Sequence, residues 1–251
     1  MLFVYRFLTI FFYPIFILII YLRKFFKKED EFRYKEKIFN TEAKPKNNKK
    51  LIWFHGASIG EIKSIFPVIE RLNKKNKYNF LITTITLSAG NLVVKTFKKK
   101  PNISHKYLPL DIEFLIKNFL NTWKPKLVFF VDSEIWPNLI LELKKRKIHS
   151  ILINGRITNK TFKKWMIISG LAKKVFSSFA LCLPSSQESK KYLKKLNTKN
   201  IKYIGNLKLT GSVNLNLMKN RNKNILSKKR NWCAVSTHDN EEVFCLKTHL
   251  L

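Results

Sequence analysis

Charged and polar side chains follow several apolar runs of this 251-residue chain, at the points where the runs end. The first run ends in HGASIGE, residues 55–61. Small residues in such a turn let a ligand approach the backbone, and the start of a following helix offers free N–H groups. Glu61 is then either a residue that stabilises the helix dipole or a general base at the edge of a sheet. The spacing is not that of G-x-G-x-x-G or of a Walker loop, so neither nucleotide motif is predicted.

Two carboxylates follow another apolar run, in the segment VDSEIWPN at residues 131–138. A cap for the next helix explains one of Asp132 and Glu134 more easily than both. Ser58 has no evident partner base, and His55 is equally well explained as a histidine of the core. Arg156 is predicted to bind an anionic group or to pair with Glu134. Later segments with the same placement supply further candidates, namely Asn206, Lys208, Ser236, Thr237 and His238.

Short apolar runs alternate with amphipathic segments from residue 51 onward. The predicted buried strands are Leu51–His55, Phe80–Thr84, Leu127–Val131, Ser150–Asn154 and Phe179–Leu183. Helices are predicted at Glu61–Lys74, Ile112–Thr122 with Asp111 as its N-cap, Pro137–Arg146 and Ser186–Lys195. This alternation predicts an α/β fold with a Rossmann-like parallel sheet. Ligands bind beyond the carboxyl ends of such strands, where the candidate residues lie.

The N-terminus carries an apolar stretch, FLTIFFYPIFILIIYL, at residues 7–22. Together with the apolar residues before Arg6, it approaches the ~20 residues that a helix needs to span a bilayer. Pro14 is expected to kink this helix. The basic cluster RKFFKK at residues 23–28 favours a cytoplasmic position for this flank and attraction to anionic lipids. A cleaved signal peptide is disfavoured, whereas a span and an insertion into one leaflet both stay open.

The formal net charge is +33, from 49 basic and 16 acidic residues. Such an excess is typical of proteins that bind nucleic acids or anionic membranes, or of a composition biased toward Lys, Asn and Ile. The lysines are spread along the whole chain, which favours the compositional explanation. Nucleic acid is not a predicted partner, because the chain has no zinc-finger spacing, RNP-like strand or basic helix with heptads.

Cysteine and histidine patterns give no sign of a metal site. The cysteines Cys182, Cys233 and Cys245 form no C-x-x-C pair, and their number is odd. This argues against a disulfide scaffold and for a reducing compartment. The five histidines show no H-x-x-x-H pattern. No metal site is therefore predicted, and no cofactor is expected.

Changes in composition predict five segments. They are a membrane anchor or interfacial helix at 1–28, a charged connector at 29–50, a Rossmann-like domain at 51–209, a polar linker at 210–230 and the incomplete start of a further domain at 231–251. The connector is expected to be a linker or a surface helix. The last segment is predicted to hold a strand at Trp232–Ser236 and a helix that opens at Asp239, which cannot bury a core of their own.

Seven segments in the order of the chain resemble one enzyme family: WFHGASIGE, YLPLD, DSEIWPNLI, NGRIT, SSQES, GNLKLT and STHDNEE. They are similar to the 3-deoxy-D-manno-octulosonic acid (Kdo) transferases of lipopolysaccharide synthesis, and the apolar N-terminus also matches. The resemblance implies a glycosyltransferase B architecture with two Rossmann-like domains. The N-terminal domain would bind the acceptor, the lipid A precursor lipid IVA, and the C-terminal domain would bind CMP-Kdo. The implied reaction is an inverting transfer at the cytoplasmic face of the bacterial inner membrane.

The resemblance also implies roles for individual residues. Glu61 matches the proton acceptor of the family, and Lys208 matches a basic residue that stabilises the transition state. Asp132 stands where the family usually has a stabilising Glu, so its reach is one methylene shorter. Candidate acceptor or substrate contacts are His55, Ser58, Gly60, Glu134, Asn138, Arg156 and Asn206. Candidate donor contacts are Ser236, Thr237 and His238.

Family members continue past this point through further segments that hold CMP. We therefore expect that the donor domain is only begun here and that the 251-residue chain alone lacks transfer activity. Two other functions stay open. One is a domain that binds the acceptor lipid without turnover, and the other is a two-domain glycosyltransferase that uses a different nucleotide sugar.

Overall fold

One sheet of six parallel strands organises the chain in the computed structural model, which describes residues 1–39, 49–207, 233–235, 237 and 240–249. The strands are β1 (Lys50–His55), β2 (Tyr78–Thr84), β3 (Ile103–Tyr107), β4 (Leu127–Val131), β5 (His149–Gly155) and β6 (Leu181–Pro184). They are ordered β3-β2-β1-β4-β5-β6, and each neighbouring pair is parallel. The predicted α/β fold with a Rossmann-like parallel sheet is confirmed.

All five predicted strands are present, with bounds shifted by two residues or fewer. The sequence analysis missed β3, the strand at one edge of the sheet. Its residues, ISHKY, are mostly half-buried and form no continuous apolar run. A parallel strand that is buried on both faces shows such a run, whereas an edge strand need not. Beyond β6, an isolated parallel bridge joins Cys182 and Ile201.

Helices connect the strands: α4 (Ile59–Asn73), α5 (Leu87–Phe97), α6 (Glu113–Trp123), α7 (Pro137–Lys145), α8 (Asn159–Ile167), α9 (Ser169–Phe176) and α10 (Gln187–Lys195). Ser58, Thr86, Thr158 and Ser186 cap the N-termini of α4, α5, α8 and α10 with their side-chain oxygens. Pro137 lies in the first turn of α7, as predicted. Such residues satisfy or remove donors that a helix leaves unpaired at its start.

Asp111 caps a different helix from the predicted one. The N-cap of α6 is Ile112, which makes no side-chain cap. The Asp111 carboxylate instead accepts hydrogen bonds from the backbone N–H groups of Asn138 and Leu139 in α7, at 2.9 Å each. The prediction was wrong because it allowed only a local partner, whereas the fold places the start of α7 beside Asp111.

Apolar clusters cover both faces of the sheet. Alternate residues of β1 point to opposite faces, as in any strand. Trp53 joins the cluster that contains residues of α6, α7 and α9. Phe54 joins the cluster that contains residues of α4 and α5. This packing fixes the ends of the strands from which the candidate residues extend.

The order of the strands creates a crevice between the carboxyl ends of β1 and β4. The chain runs from β1 outward to β2 and β3, and then returns to place β4 on the other side of β1. The helices that follow β1 and β4 therefore lead away in opposite directions. In open parallel sheets, ligands bind at this switch point. The turn after His55 and the segment after Val131 both lie here.

The apolar N-terminus forms two helices, α1 (Leu2–Phe11) and α2 (Tyr13–Phe25), with a bend of 52° between them. Pro14 lies in the first turn of α2, so the predicted kink is confirmed. Among the described residues, no single helix is long and apolar enough to cross a membrane. By length and composition alone, the bent pair of α1 and α2 meets this criterion when the two helices are taken together. Arg6 of α1 pairs with Glu113 at 3.1 Å, which ties the helix to the sheet domain.

The described part of the charged connector packs against the sheet domain. It contains the short helix α3 (Lys35–Ile38), and Tyr34 and Ile38 are buried. Glu29 and Lys37 form a buried ion pair, and the Lys37 ammonium also donates to the carbonyl of Ile85 at 2.7 Å. This part of the connector is therefore not the expected linker or surface helix, because the opposite charges of Glu29 and Lys37 neutralise each other inside the fold.

The chain divides into two compact units, Met1–Gly211 and Ser212–Leu251. The second unit contains the helix α11 (Glu241–His249), which has Glu241 and Glu242 in its first turn. Residues 233–235 of the predicted strand Trp232–Ser236 form no strand. The other two residues of that prediction, and Asp239, lie outside the described residues.

Candidate active site

The turn after β1 folds the side chain of Glu61 back over the loop. The Glu61 N–H donates to Ser58 Oγ at 3.4 Å. In return, the Ser58 hydroxyl donates to Glu61 Oε1 and the Ala57 N–H donates to Glu61 Oε2, both at 2.8 Å. This reciprocal arrangement is a variant of the capping box, in which Glu61 accepts from the N–H of Ala57 rather than from that of the N-cap residue Ser58. A Cβ at Gly56 would lie only 3.3 Å from the Cβ of Glu61, so the loop is closely fitted to this side chain.

The carboxylate of Glu61 is nevertheless more basic than an ordinary glutamate. Burial raises the pKa of Glu61, while the hydrogen bonds from Ala57 and Ser58 lower it. The negative charges of Glu134 and Asp132 raise this pKa further, so the net shift is upward. Like charges act in this way only at close range. The three carboxylates therefore share one electrostatic environment at the crevice.

Asp132 lies where β4 leaves the sheet. Its φ of 61° is in the left-handed region, which Asp tolerates better than most residues. Its N–H donates to the Ile153 carbonyl at 3.0 Å, and its carbonyl accepts from the Arg156 N–H at 3.3 Å. Asn154, at the end of the adjacent strand β5, has a similar φ of 53°. Backbone contacts thus fix Asp132 at the edge of the crevice.

His55 and Trp136 hold the carboxylate of Glu134. The His55 side chain is fully buried, and its Nε2 lies 3.5 Å from Glu134 Oε2. The indole N–H of Trp136 donates to the same oxygen at 3.1 Å. The other ring nitrogen of His55, Nδ1, lies 2.9 Å from Thr83 Oγ1. His55 is therefore buried like a core residue and at the same time contacts a carboxylate of the site.

The alternative pair between Arg156 and Glu134 is not formed in the described part of the chain. The Arg156 side chain is exposed, and the basic side chain that contacts Glu134 is His55. Binding of an anionic group by Arg156 stays a prediction.

Asn138 lies in a buried network rather than with the carboxylates. It is 1% exposed, and its side-chain N–H donates to the Asp111 carbonyl at 2.6 Å. Its Oδ1 accepts from Arg6 Nε at 3.3 Å. These contacts occupy the amide that was predicted to bind substrate. Gly60, by contrast, is exposed, and a Cβ at this position would meet no atom within 4 Å.

The later candidates are only partly described. Asn206 lines a cavity of about 260 Å³ together with Val68, Phe129, Ile153, Asn154, Leu183, Ile204, Gly205 and Leu207. Thr237 belongs to the second unit, where its hydroxyl donates to Glu242 at 2.9 Å. Lys208, Ser236 and His238 lie outside the described residues, so their roles stay predictions.

Three contributors to the site were missed in the sequence. Thr83 contacts His55 because these residues are in register on β1 and β2. Asp111 fixes the start of α7, and Trp136 fixes Glu134. Trp136 carried a detectable signal, since an indole N–H two residues after a carboxylate is a potential donor to it. The other two contacts depend on strand order and helix placement, which sequence spacing does not give.

The arrangement favours proton transfer. Among the described residues, no group of three or more His, Cys, Asp or Glu side chains is placed to hold a metal ion. Glu61 is a carboxylate with a raised pKa at the mouth of the crevice, so it is suited to accept a proton from a bound hydroxyl.

Sequence comparisons relate the chain to one group of enzymes. A family model described as 3-deoxy-D-manno-octulosonic-acid transferase (kdotransferase) matches residues 32–210. The chain is 32% identical to the 3-deoxy-D-manno-octulosonic acid transferase of Rickettsia bellii over 206 residues, which are 81% of this chain and 48% of the relative. It is 30% identical to the transferase of the same name from Haemophilus influenzae over 210 residues, or 79% of this chain and 47% of the relative.

Similarity to solved structures is weaker. The UDP-GlcNAc 2-epimerase of Neisseria meningitidis has a TM-score of 0.45 and 18% identity, over 64% of this chain and 47% of the epimerase. Similarity at this level carries no functional argument. The chain spans about half the length of the curated relatives that it matches. Because the family model covers most of the chain, this protein belongs to the Kdo transferase family of glycosyltransferases.

Proposed function

We propose that the chain provides the acceptor side of an enzyme that transfers Kdo from CMP-Kdo to lipid IVA, with inversion at the anomeric carbon. Membership of the family supports Kdo transfer. The observation that carries the proposal is the position of Glu61, whose pKa is raised by burial and by the charges of Glu134 and Asp132, beside the switch point of the sheet.

In the proposed reaction, Glu61 removes the proton from an acceptor hydroxyl. The oxygen of this hydroxyl forms the new bond to the anomeric carbon of Kdo, while the bond from that carbon to CMP breaks. The bonding electrons leave with the phosphate of CMP. Asp132 and Lys208 are proposed to stabilise charge in the transition state, with Lys208 countering the negative charge on the departing group.

The domain assignments follow from the same proposal. Residues 51–209 form the acceptor domain of a glycosyltransferase B architecture, and residues 231–251 belong to the donor side, with 210–230 as a linker. Ser236, Thr237 and His238 are proposed to contact CMP-Kdo, and no cofactor is required. The proposed acceptor contacts remain Ser58, Gly60, Glu134, Arg156 and Asn206. Glu134 faces the shared site, and Arg156 is an exposed cation whose backbone contacts Asp132.

The N-terminal helices are proposed to hold the enzyme at the cytoplasmic face of the bacterial inner membrane, with 1–28 as anchor and 29–50 as connector. Large apolar side chains are exposed on α1 and α2, including Phe3, Phe7, Phe11, Leu18 and Phe25. Lys24 lies in the last turn of α2, and Lys27 and Lys28 follow this helix. These lysines would attract anionic lipids. In this arrangement, the enzyme would bind its lipid acceptor while the lipid remains in the membrane.

A second candidate function is binding of the acceptor lipid without turnover. The capping box favours it, because both oxygens of Glu61 already accept hydrogen bonds that stabilise the start of α4. A carboxylate in this position can be structural alone.

A transfer assay separates the two candidates. Residues 1–211 would replace the matching half of the Haemophilus influenzae relative, and Kdo transfer from CMP-Kdo to lipid IVA would be followed. Loss of a general base typically lowers a rate by about 10²-fold or more, so we expect such a fall for Glu61→Gln with little change in lipid IVA binding. Glu70→Gln, an exposed residue of the same helix, is the matched control. If the Glu61→Gln variant transfers Kdo as fast as the unsubstituted chimera, Glu61 has only a structural role.

A further inference from the structure

His55 lies between two strands at the centre of the site. It is paired in register with Thr83 of β2 on one side and with Phe130 of β4 on the other. Its side chain has no exposed surface, and within the described residues its Nε2 has no hydrogen-bond partner. A buried ring nitrogen without a hydrogen bond lowers the stability of the fold unless another polar group interacts with it. The group that faces Nε2 is the carboxylate of Glu134, whose Oε2 lies 3.5 Å away.

The hydrogen bonds of Thr83 favour one tautomer of this histidine. An indole N–H can only donate, and Trp53 Nε1 donates to Thr83 Oγ1 at 2.8 Å. The hydroxyl proton of Thr83 is then available for His55 Nδ1, which lies 2.9 Å away. With Nδ1 as the acceptor, the proton of the neutral ring is on Nε2.

The opposite tautomer places two acceptors against each other. His55 Nδ1 also lies 3.2 Å from the Thr83 carbonyl, to which it would donate if it carried the proton. The lone pair of Nε2 would then face Glu134 Oε2, an oxygen that already accepts from Trp136. Repulsion between these atoms disfavours that state, whereas a proton on Nε2 makes the contact attractive.

We propose that Trp53, Thr83 and His55 form a hydrogen-bond relay that makes His55 a positioning residue for Glu134. The relay directs the Nε2–H of His55 toward Oε2 of Glu134, which already accepts from the indole N–H of Trp136, and the two groups together fix the direction of the carboxylate. The other oxygen, Oε1, then accepts a hydrogen bond from a hydroxyl of the acceptor sugar. This last step rests on the proposed function, while the relay itself does not.

The relay is tested by NMR, from the ring ¹⁵N signals of His55 in the 251-residue chain. The spectra are recorded at about pH 8, where imidazole is ordinarily neutral. We expect a protonated Nε2 and an unprotonated Nδ1. Thr83→Val removes the hydroxyl and should raise the share of the tautomer that carries the proton on Nδ1, whereas Thr83→Ser should not. A proton on Nδ1 in the wild-type chain, on both nitrogens, or an unchanged tautomer ratio in Thr83→Val would overturn the relay.

The contact with substrate is tested by the affinity of the same chain for lipid IVA in detergent micelles. The amide nitrogen of His55→Gln matches the position of Nε2, whereas that of His55→Asn matches Nδ1. We expect the Gln variant to bind like wild type and the Asn variant to bind about tenfold more weakly. Equal affinity of all three chains, or an equal loss in both variants, would overturn the positioning role. A wild-type chain that does not bind lipid IVA would contradict the proposed function and the contact, and the ¹⁵N result would still decide the relay.

Discussion

The hydroxyl of Tyr5 donates to Oδ2 of Asp111 at 2.9 Å, so the first helix of the chain is hydrogen-bonded to a buried carboxylate at the start of α7. The same carboxylate accepts the N–H groups of Asn138 and Leu139 at the start of α7. α7 begins directly after Trp136, which holds Glu134. A single buried side chain therefore connects the apolar N-terminus with the segment that carries the site.

Asp111 should make stability depend on pH in the direction opposite to that of most carboxylates. Burial raises its pKa to about 6, even though the hydrogen bonds from Asn138, Leu139 and Tyr5 lower it. In the unfolded chain the pKa of an Asp is about 3.9. The folded state therefore binds the proton more tightly, and stability is lost as pH rises from about 4 to about 6, by about 2 to 3 kcal/mol.

The measurement compares the urea unfolding free energy of wild type and Asp111→Asn at several pH values. The variant cannot titrate, so its unfolding free energy should fall less steeply across this window, whatever its absolute stability. Identical slopes in the two proteins would show that Asp111 is not protonated in the folded state.

Glu29→Gln should destabilise the protein strongly. Glu29 is 5% exposed and pairs with Lys37 and with Arg23, the latter at 2.7 Å. Removal of its charge leaves the Lys37 ammonium buried without a counter-charge, which typically costs about 3 kcal/mol or more. The exposed Glu31→Gln serves as the control and should change the unfolding free energy by less than about 0.5 kcal/mol. Equal effects of the two substitutions would mean that the buried pair contributes nothing.

The sequence predicted the sheet well because buried parallel strands are continuous apolar runs. β1 and β4 were located from such runs, and their parallel alignment then placed Glu61, Asp132 and Glu134 at one edge. Failures arose where a contact joins elements that are distant in sequence. Asp111 was assigned to the helix that follows it, although its partners lie in α7.

The same limit applies to the interior of the site. Thr83 lies beside His55 only because β2 and β1 are neighbours in register. The connector that contains Glu29 and Lys37 looked like a solvated segment, since composition does not show that opposite charges neutralise each other inside a fold. Periodicity thus predicts which segments are buried, whereas the pairing of buried polar groups requires the three-dimensional arrangement.

Gly205→Ala should destabilise the loop that precedes Asn206 and Leu207. Gly205 has a φ of 95°, which a residue with a Cβ adopts only with strain. The expected loss of unfolding free energy is about 1 kcal/mol. Gly170→Ala is the matched control, because it lies in α9 and a Cβ there meets no atom within 4 Å. The control should be neutral or stabilising, so a loss of the same size in both variants would contradict the argument from φ.

Replacement of Lys24, Lys27 and Lys28 by Gln should weaken binding to vesicles that contain anionic lipid. Each basic residue near such a surface contributes about 1 kcal/mol, so the triple variant should bind tenfold or more weakly at low salt. Binding to neutral vesicles should change little, because the exposed apolar side chains of α1 and α2 are retained. Replacement of Lys190, Lys191 and Lys194 of α10 is the matched control for charge alone. Unchanged binding of the first variant would remove the electrostatic part of the proposed attachment.

The titration of the Glu61 carboxyl carbon, followed by ¹³C NMR in the 251-residue chain, tests the central claim most directly. If burial and the neighbouring carboxylates make Glu61 a base, its pKa lies above that of an ordinary glutamate. The pKa should then fall in Glu134→Gln, because one of the charges that raise it is removed. A pKa at or below the ordinary value, unchanged by Glu134→Gln, would mean that the capping hydrogen bonds dominate and that Glu61 is a structural residue only.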